Sequence, residues 1–391
     1  MKILICNVGS TSLKFKLWDM PGHVGLAQGR VERVGSDRAI FQYECGDYRL
    51  KQEPVSIPDY TTGIRRFLDL LTGGEAPAAS SLEEIEAVGF KTVLSKDHYG
   101  VHELTEDVLQ GMRDYLTVAP AHNRCYLEAI GVFQNLMPGA RLIGVFETAF
   151  HQTIPLKNRI YPVPYEWYEK YGVMKMGYHG ASHGYIAKKL AGKKRVVSCH
   201  LGGSGSICAI LDGKSIDNSF GFSLQAGIPH SNRTGDMDAY IIPFMLDQGL
   251  SMEEILDGLG KNGGLKGISG TSGDMRDVVE AIEAGSERAK LALDYFAASI
   301  LRYIGAYMTE LGGLDAIAFT GGIGENSALL RKMIVEGLHF LGAKLDENAN
   351  DNCAGEARIS ADDSEIEVFV IPANEEFMVV NETYAKCIKC K

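Results

Sequence analysis

Two stretches of this 391-residue chain nearly repeat one another: residues 2–19, KILICNVGSTSLKFKLWD, and residues 195–212, RVVSCHLGGSGSICAILD. Each reads as an apolar strand, a turn of small polar residues, and a second strand. Asn7-Val8-Gly9-Ser10-Thr11-Ser12 makes the first turn and Gly202-Gly203-Ser204-Gly205-Ser206 the second. A hairpin tip built from Gly, Ser, Thr and Asn exposes backbone N–H and hydroxyl groups with no bulky side chain in the way, as the grip on an anionic phosphate requires. One such turn serves equally well as a plain connection. Two, separated by about half the chain, predict a duplicated domain with phosphates held in the cleft between the copies.

The length suffices for two domains, each with its own core. Glycine, at 45 residues, stands well above the ~7% average and clusters after apolar runs, a placement that favours ligand loops over disorder. The formal charge of −11 and the lack of any Lys/Arg block exclude a nucleic-acid footprint. Anionic ligands therefore need local positive groups, because the overall field opposes them. The opening MKILICN is too short an apolar run for a signal peptide, and no run reaches transmembrane length, so no membrane partner and a cytoplasmic location are expected. Of the eight cysteines, Cys6, Cys199 and Cys208 sit in strand-like runs where a buried thiol is usual. Cys387 and Cys390 form a lone C-x-x-C with no second pair or histidine to complete a metal site.

Strand and helix signals alternate, which predicts α/β architecture. Strand-like runs cover 38–43, 85–94 and 141–146, the last ending at Glu147-Thr148, where a sheet edge would present a carboxylate and a hydroxyl. Apolar stripes predict helices over 104–116, 124–136 and Glu287–Leu311, the last stopped by Gly312-Gly313. A buried strand at 315–319 leads into Thr320-Gly321-Gly322-Ile323-Gly324-Glu325-Asn326-Ser327 and another helix. A strand at 368–372 and a helix over 374–386 finish the chain. The expected division places residues 1–149 and a C-terminal helix of about 376–391 in one domain, and 150–375 in the other.

Several motifs carry two readings each. The glycines of 321–327, between a strand and a helix, either aim amides at a nucleotide or make a structural turn. The segment is not a dinucleotide fingerprint, because Ser327 takes the place of its last glycine. No Walker loop is present either, since Cys208 stands where its leading glycine belongs. His179 and His183 lie four apart just before the second hairpin. They could pair on a metal, but no adjacent glutamate supports that, and a donor to a transferring phosphoryl group is the stronger idea. Arg233 reads as a solvated arginine or a charge donor, Asp274-Met275-Arg276 as a helix cap or a ligand segment, and Glu375-Glu376 as dipole-favoured acids or ligands.

Taken together, the set resembles the acetate and propionate kinases of the actin-like superfamily. The resemblance runs end to end, through 7–14, 145–152, 177–183, 200–202, 267–277, 319–327 and 371–376. It implies two actin-like (ribonuclease H-like) α/β domains of duplicated topology with the active site in the cleft between them, a homodimer, and a phosphoryl transfer between ATP and a small carboxylic acid that is reversible. It implies further that Asn7 and Glu375 hold Mg²⁺ or Mn²⁺, and that Lys14 reaches the ATP phosphates. His200, Leu201, Gly202, Gly203 and Ser204 would form the second phosphate loop. Asp274, Met275 and Arg276 would cradle adenosine with Gly321, Gly322, Ile323, Gly324, Glu325 and Asn326. His179 and Arg233 would stabilise the in-line transfer, which needs positioning and positive charge rather than a covalent intermediate.

The departures fall on the acceptor side. Lys91 replaces the family's arginine, keeping the charge and losing the planar fork that clamps a carboxylate. Glu147 replaces an aspartate. The pocket for the acid's alkyl group corresponds to Val93, Ala121, Tyr178 and Leu224; Ala121 opens volume, and Tyr178 and Arg124 suggest a larger or more polar acid than acetate. These changes also support a rival reading, a nucleotide-binding homologue with little kinase activity that acts as a sensor or partner protein.

Overall fold

In the computed structural model, which describes residues 1–389 apart from the side chains of Pro120 and Ala121, the first repeated segment folds as β1 (Lys2–Gly9) and β2 (Ser12–Asp19). The ladder runs up to the Gly9–Ser12 pair, so the turn proper is only Ser10-Thr11. Asn7 and Val8, expected in the turn, belong to β1. Val8 and Leu13 pair across the ladder and are both buried, which extends the strands toward the tip. The chain continues through β3 (Val24–Glu32), β4 (Ser36–Cys45), β5 (Tyr48–Ile57), β6 (Ile85–Phe90), β7 (Val101–Glu103) and β8 (Arg141–Val145). Together they form one sheet in the order β5-β4-β3-β2-β1-β6-β8-β7. The helix preceding β8 spans Pro120–Leu136, opening earlier than its apolar stripe because Pro120 fits the first turn, where its missing N–H costs nothing.

The second repeat builds β9 (Arg195–Leu201) and β10 (Gly205–Leu211), followed by β11 (Lys214–Asn218), β12 (Ala316–Thr320), β13 (Ala357–Arg358) and β14 (Glu367–Val370). Their order is β11-β10-β9-β12-β14-β13. Set beside β3-β2-β1-β6-β8-β7, this is the same sheet. The central strand pairs antiparallel with its hairpin partner and parallel with the first crossover strand in both cases. The second crossover strand is parallel and the outermost strand antiparallel in both as well. The repeat visible in two hairpins thus extends over six strands, with β4 and β5 as an addition to the first copy.

The chain divides into two compact units, Met1–Ala149 with Glu375–Lys391, and Phe150–Asn374. In the second, the helix Glu287–Leu311 spans its predicted residues and buries Leu293, Phe296, Ile300, Ile304, Tyr307 and Leu311 in the core. Ser286 caps its first turn. Gly312 ends it in the left-handed conformation at φ 69°. In the first, the helix Glu375–Ile388 returns to the sheet, burying Val379, Val380, Thr383 and Cys387. It opens at Glu375, one residue after the start expected for this helix. Cys390 lies outside the described residues. No helix among the described residues is long and apolar enough to cross a membrane.

The returning helix packs tightly because β6 offers no side chain at Gly89. A Cβ there would collide with the Thr383 hydroxyl and lie 2.8 Å from Ile5 Cδ1. Gly89→Ala is expected to destabilise the protein by about 1–3 kcal/mol, the usual range for overpacking. Denaturant titration of the variant checks this, and Thr383→Ala in the same chain should restore part of the loss.

Candidate active site

Because β1, β6 and β8 are parallel and adjacent, their carboxyl ends deliver Asn7, Lys91 and Glu147 to one edge of the first sheet. The Glu147 backbone N–H donates to the Thr92 carbonyl at 2.9 Å, joining the two loops. Lys91 Nζ lies 2.8 Å from Glu147 Oε1 and 2.7 Å from Glu375 Oε2, with all three side chains largely shielded from solvent. Burial works against the ammonium, but the two carboxylates outweigh it and hold the Lys91 pKa above the ordinary lysine value. A guanidinium would fork onto one carboxylate; the point charge of lysine serves two.

Sequence reading missed two residues that organise this edge. Tyr126 donates its hydroxyl to Asn7 Oδ1 at 3.0 Å while accepting the Val8 N–H at 3.2 Å, which orients the carboxamide. Asn123, wholly buried, donates to the carbonyls of Leu94 and Met112 and so pins the loop that carries Lys91 and Val93. Both are polar groups on the buried side of one helix, at i and i+3, and that was their only signal in the sequence. Lys14 pairs with Asn7 across the hairpin, which puts both on one face, and its side chain is exposed. Val93 is buried. The Ala121 side chain lies outside the described residues.

The carboxamide oxygen of Asn7 and the carboxylate of Glu375 are hard oxygen donors, the type Mg²⁺ and Mn²⁺ prefer. No cluster of three or more His, Cys, Asp or Glu suited to a metal occurs among the described residues. Magnesium in phosphoryl-transfer enzymes needs none, since one or two protein oxygens and the substrate phosphates complete its shell. The residues present fit the ion.

The second unit contains a cavity of about 930 Å³ lined by Gly202, Gly203, Asp274, Met275, Arg276, Gly322, Ile323 and Asn326, together with Val279, Glu280, Glu283, Ser327, Ala328 and Leu329. Its size suits a nucleoside. Asp274 caps the helix Met275–Glu283 through the Arg276 N–H, and its carboxylate is held down to about 2 by the Arg276 guanidinium and amide. The glycine segment is not the open loop expected. It enters helix at once, over Gly321–Asn326, so Gly322, Ile323 and Asn326 face the cavity while the others do structural work. Gly321, at φ 79°, packs on the β9 backbone, where a Cβ would lie 2.8 Å from the Leu201 carbonyl. Glu325 accepts the Gly321 and Ala373 amides, both at 2.9 Å. Arg331, buried and not anticipated, donates to the carbonyls of Gly324 and Glu325 and closes that helix. Of the residues expected in the second phosphate loop, Gly202 and Gly203 line the cavity. Leu201 is core, His200 bonds Ser182 through Nδ1, and the Ser204 carbonyl accepts the Gly202 N–H at 3.2 Å.

In the same unit, His179 and His230 both pack against the Phe220 ring. His179 lies with its ring centroid 4.1 Å from that of His200 and packs edge-on to Phe220. It caps the helix Gly180–Lys189 in the left-handed region, φ 56°, which costs a residue with a Cβ about 1–3 kcal/mol and marks a position where side-chain aim is enforced. Arg233 is half-buried rather than solvated; it donates to the Leu224 carbonyl at 2.7 Å, and burial lowers its pKa to about 10. The Tyr178 residue is buried and its hydroxyl donates to the Phe222 carbonyl at 2.8 Å.

The six-strand pairing common to both sheets is that of the duplicated actin-like α/β fold, and the second unit holds a nucleoside-sized cavity. The chain belongs to the acetokinase family, whose sequence model matches residues 2–381. It is 42% identical to an acetate kinase of Halothermothrix orenii, with 98% of each chain covered, and 42% identical to one of Methanosarcina barkeri, with 98% and 96% covered. Among solved structures, acetate kinase of Porphyromonas gingivalis superposes with a TM-score of 0.87 at 34% identity, covering 98% of this chain and 99% of that one. A propionate kinase of Francisella tularensis superposes with a TM-score of 0.89 at 33% identity and the same coverage. The family acts on a carboxyl group as phosphoryl acceptor.

Two outcomes are expected. A Cβ at Gly322 would meet no heavy atom within 4 Å, so Gly322→Leu should project into the cavity and raise the ATP Kd about tenfold or more, a cost of ~1–3 kcal/mol. Calorimetry reads the affinity, and the melting temperature should stay near that of the parent. Acid should weaken the second unit through His151, His183 and His230, whose burial lowers their pKa values to about 4, well below 6.5, and to about 3, respectively. The unfolded chain takes up these protons near pH 6.5 and the native one does not. The stabilisation is therefore complete above that pH and lost as pH falls toward the folded values, by about 1.4 kcal/mol per unit for each histidine. Denaturant unfolding at about pH 7.5 and about pH 5.5 measures it; equal stabilities would contradict it.

Proposed function

We propose that the protein transfers the γ-phosphoryl group of ATP to a carboxylate oxygen of a short-chain, largely apolar acid, forming an acyl phosphate and ADP. The new P–O bond forms at the acid's oxygen as the bond to the β-phosphate oxygen breaks. A carboxylate is ionised at neutral pH, so no strong base is required. The observation that carries this reading is the glycine-lined cavity of the second unit in a chain of the acetokinase family.

In this reading the adenosine occupies that cavity, against Gly322, Ile323, Asn326 and the helix that Asp274 caps. Gly202 and Gly203 bring backbone close to the phosphates with no Cβ in the way. His179 and Arg233 direct N–H groups at the charge on the transferring group, and the desolvation of Arg233 strengthens such a contact. Lys91, kept protonated by Glu147 and Glu375, offers a fixed cation to the anionic acceptor. Asn7 and Glu375 would hold the divalent ion, which when bound neutralises phosphate charge. Homologues that act on acetate and propionate support the same size range.

Trapping with hydroxylamine across C2 to C5 acids, alongside ADP release, tests the reading. Hydroxamate should form with Mg²⁺ and ATP, graded along the series because one methylene discriminates by only ~1–3 kcal/mol. Arg233→Ala and His179→Ala should each lower kcat by about a hundredfold or more with little change in ATP affinity. ADP release without hydroxamate would point to another acceptor. Neither product would favour the sensor reading that the Lys91 and Glu147 departures raise.

A further inference from the structure

Behind His179 a line of hydrogen bonds runs into the core of the second unit. His179 Nδ1 lies 2.9 Å from Ser206 Oγ, Ser206 Oγ lies 2.8 Å from His183 Nε2, and His183 Nδ1 lies 2.8 Å from Ser198 Oγ. His183 and both serines are fully buried or nearly so. Each serine brings one proton, and no further partner of either hydroxyl occurs among the described residues. His183, buried and with its pKa driven well below 6.5, brings one more.

These protons can be ordered in two directions. If His183 carries its proton on Nδ1, it donates to Ser198, and the Ser198 hydroxyl proton is left buried without an acceptor, a costly arrangement. If it carries the proton on Nε2, every donor is used: Ser198 donates to His183 Nδ1, His183 Nε2–H to Ser206, and the Ser206 hydroxyl to His179 Nδ1. We propose that Ser198, His183 and Ser206 form a directional relay that fixes His179 as the tautomer protonated on Nε2, making His183 and Ser206 positioning residues for it. With Nδ1 occupied as an acceptor, a neutral His179 has its proton on the nitrogen that a phosphoryl oxygen needs as a donor. This functional consequence rests on the reading given under Proposed function; the tautomer itself does not.

The relay is tested on the whole protein by ¹⁵N NMR of its histidines, assigned with single variants, at about pH 9, well above the ordinary histidine range. His179 should show an acceptor-type Nδ1 and a protonated Nε2, and His183 the same pattern. Ser206→Ala should collapse the His179 signal toward a mixture of tautomers, and Ser206→Thr should restore it. Ser198→Ala, at the far end, removes the donor that sets the direction and should weaken the preference of His183 for Nε2 protonation, and that of His179 with it. Ser206→Ala should lower kcat by about tenfold to a hundredfold, as for other partners that orient a histidine, with KM for ATP nearly unchanged. Protonation of His179 on Nδ1 in the parent, or an unaltered tautomer in Ser206→Ala, would overturn the relay. Should the NMR pattern hold while His179→Ala keeps normal turnover, the catalytic role assigned to His179 fails and the relay stands.

Discussion

A single ammonium group holds the first unit's working edge together. Lys91 emerges from the end of β6 and meets Glu147 from the loop after β8 and Glu375 from the first turn of the returning helix. Removing Lys91 would leave two shielded carboxylates facing one another without their counter-charge, which is far more costly than the net worth of the pairs. Through these contacts the far end of the sequence is tied to a strand end nearly three hundred residues earlier. The close seat of that helix over Gly89 keeps Glu375 in reach, so backbone packing and electrostatics support one another.

The second unit solves a different problem, bringing backbone near a ligand while satisfying the ends of a very short helix. Its glycines divide by task. Gly321 allows a strand to turn into a helix directly against β9, whereas Gly322 leaves open space over the cavity. Glu325 and Arg331 then satisfy the amides and carbonyls at the two ends of that short helix. A helix of this length cannot hold itself together in water; its ends are held by neighbours. The buried rings of His151 and His183 follow the same rule, each of their ring nitrogens meeting a serine or a carbonyl.

Much was legible in the sequence because its signals are local. The hairpins at 2–19 and 195–212 declared the duplication, the stripe and glycine stop of Glu287–Leu311 set that helix, and the acid at the end of the 141–146 run marked a sheet edge. These depend on periodicity and turn chemistry, which nearest neighbours along the chain decide. The resemblance carried by Asn7, His179, Arg233 and the glycine segments likewise rests on short runs of residues.

What the sequence by itself could not decide is which groups those residues meet. That Lys91 faces two carboxylates, that Tyr126 orients Asn7, that the Tyr178 hydroxyl is taken up by Phe222, and that Ser206 joins His179 to His183 all involve partners far apart in the chain. Periodicity and turn chemistry therefore determined the class of fold, and the resemblance of short motifs implied the kind of chemistry. Which groups each candidate site residue meets was decided only when tertiary packing removed water and left each polar atom the partners that the fold brought beside it.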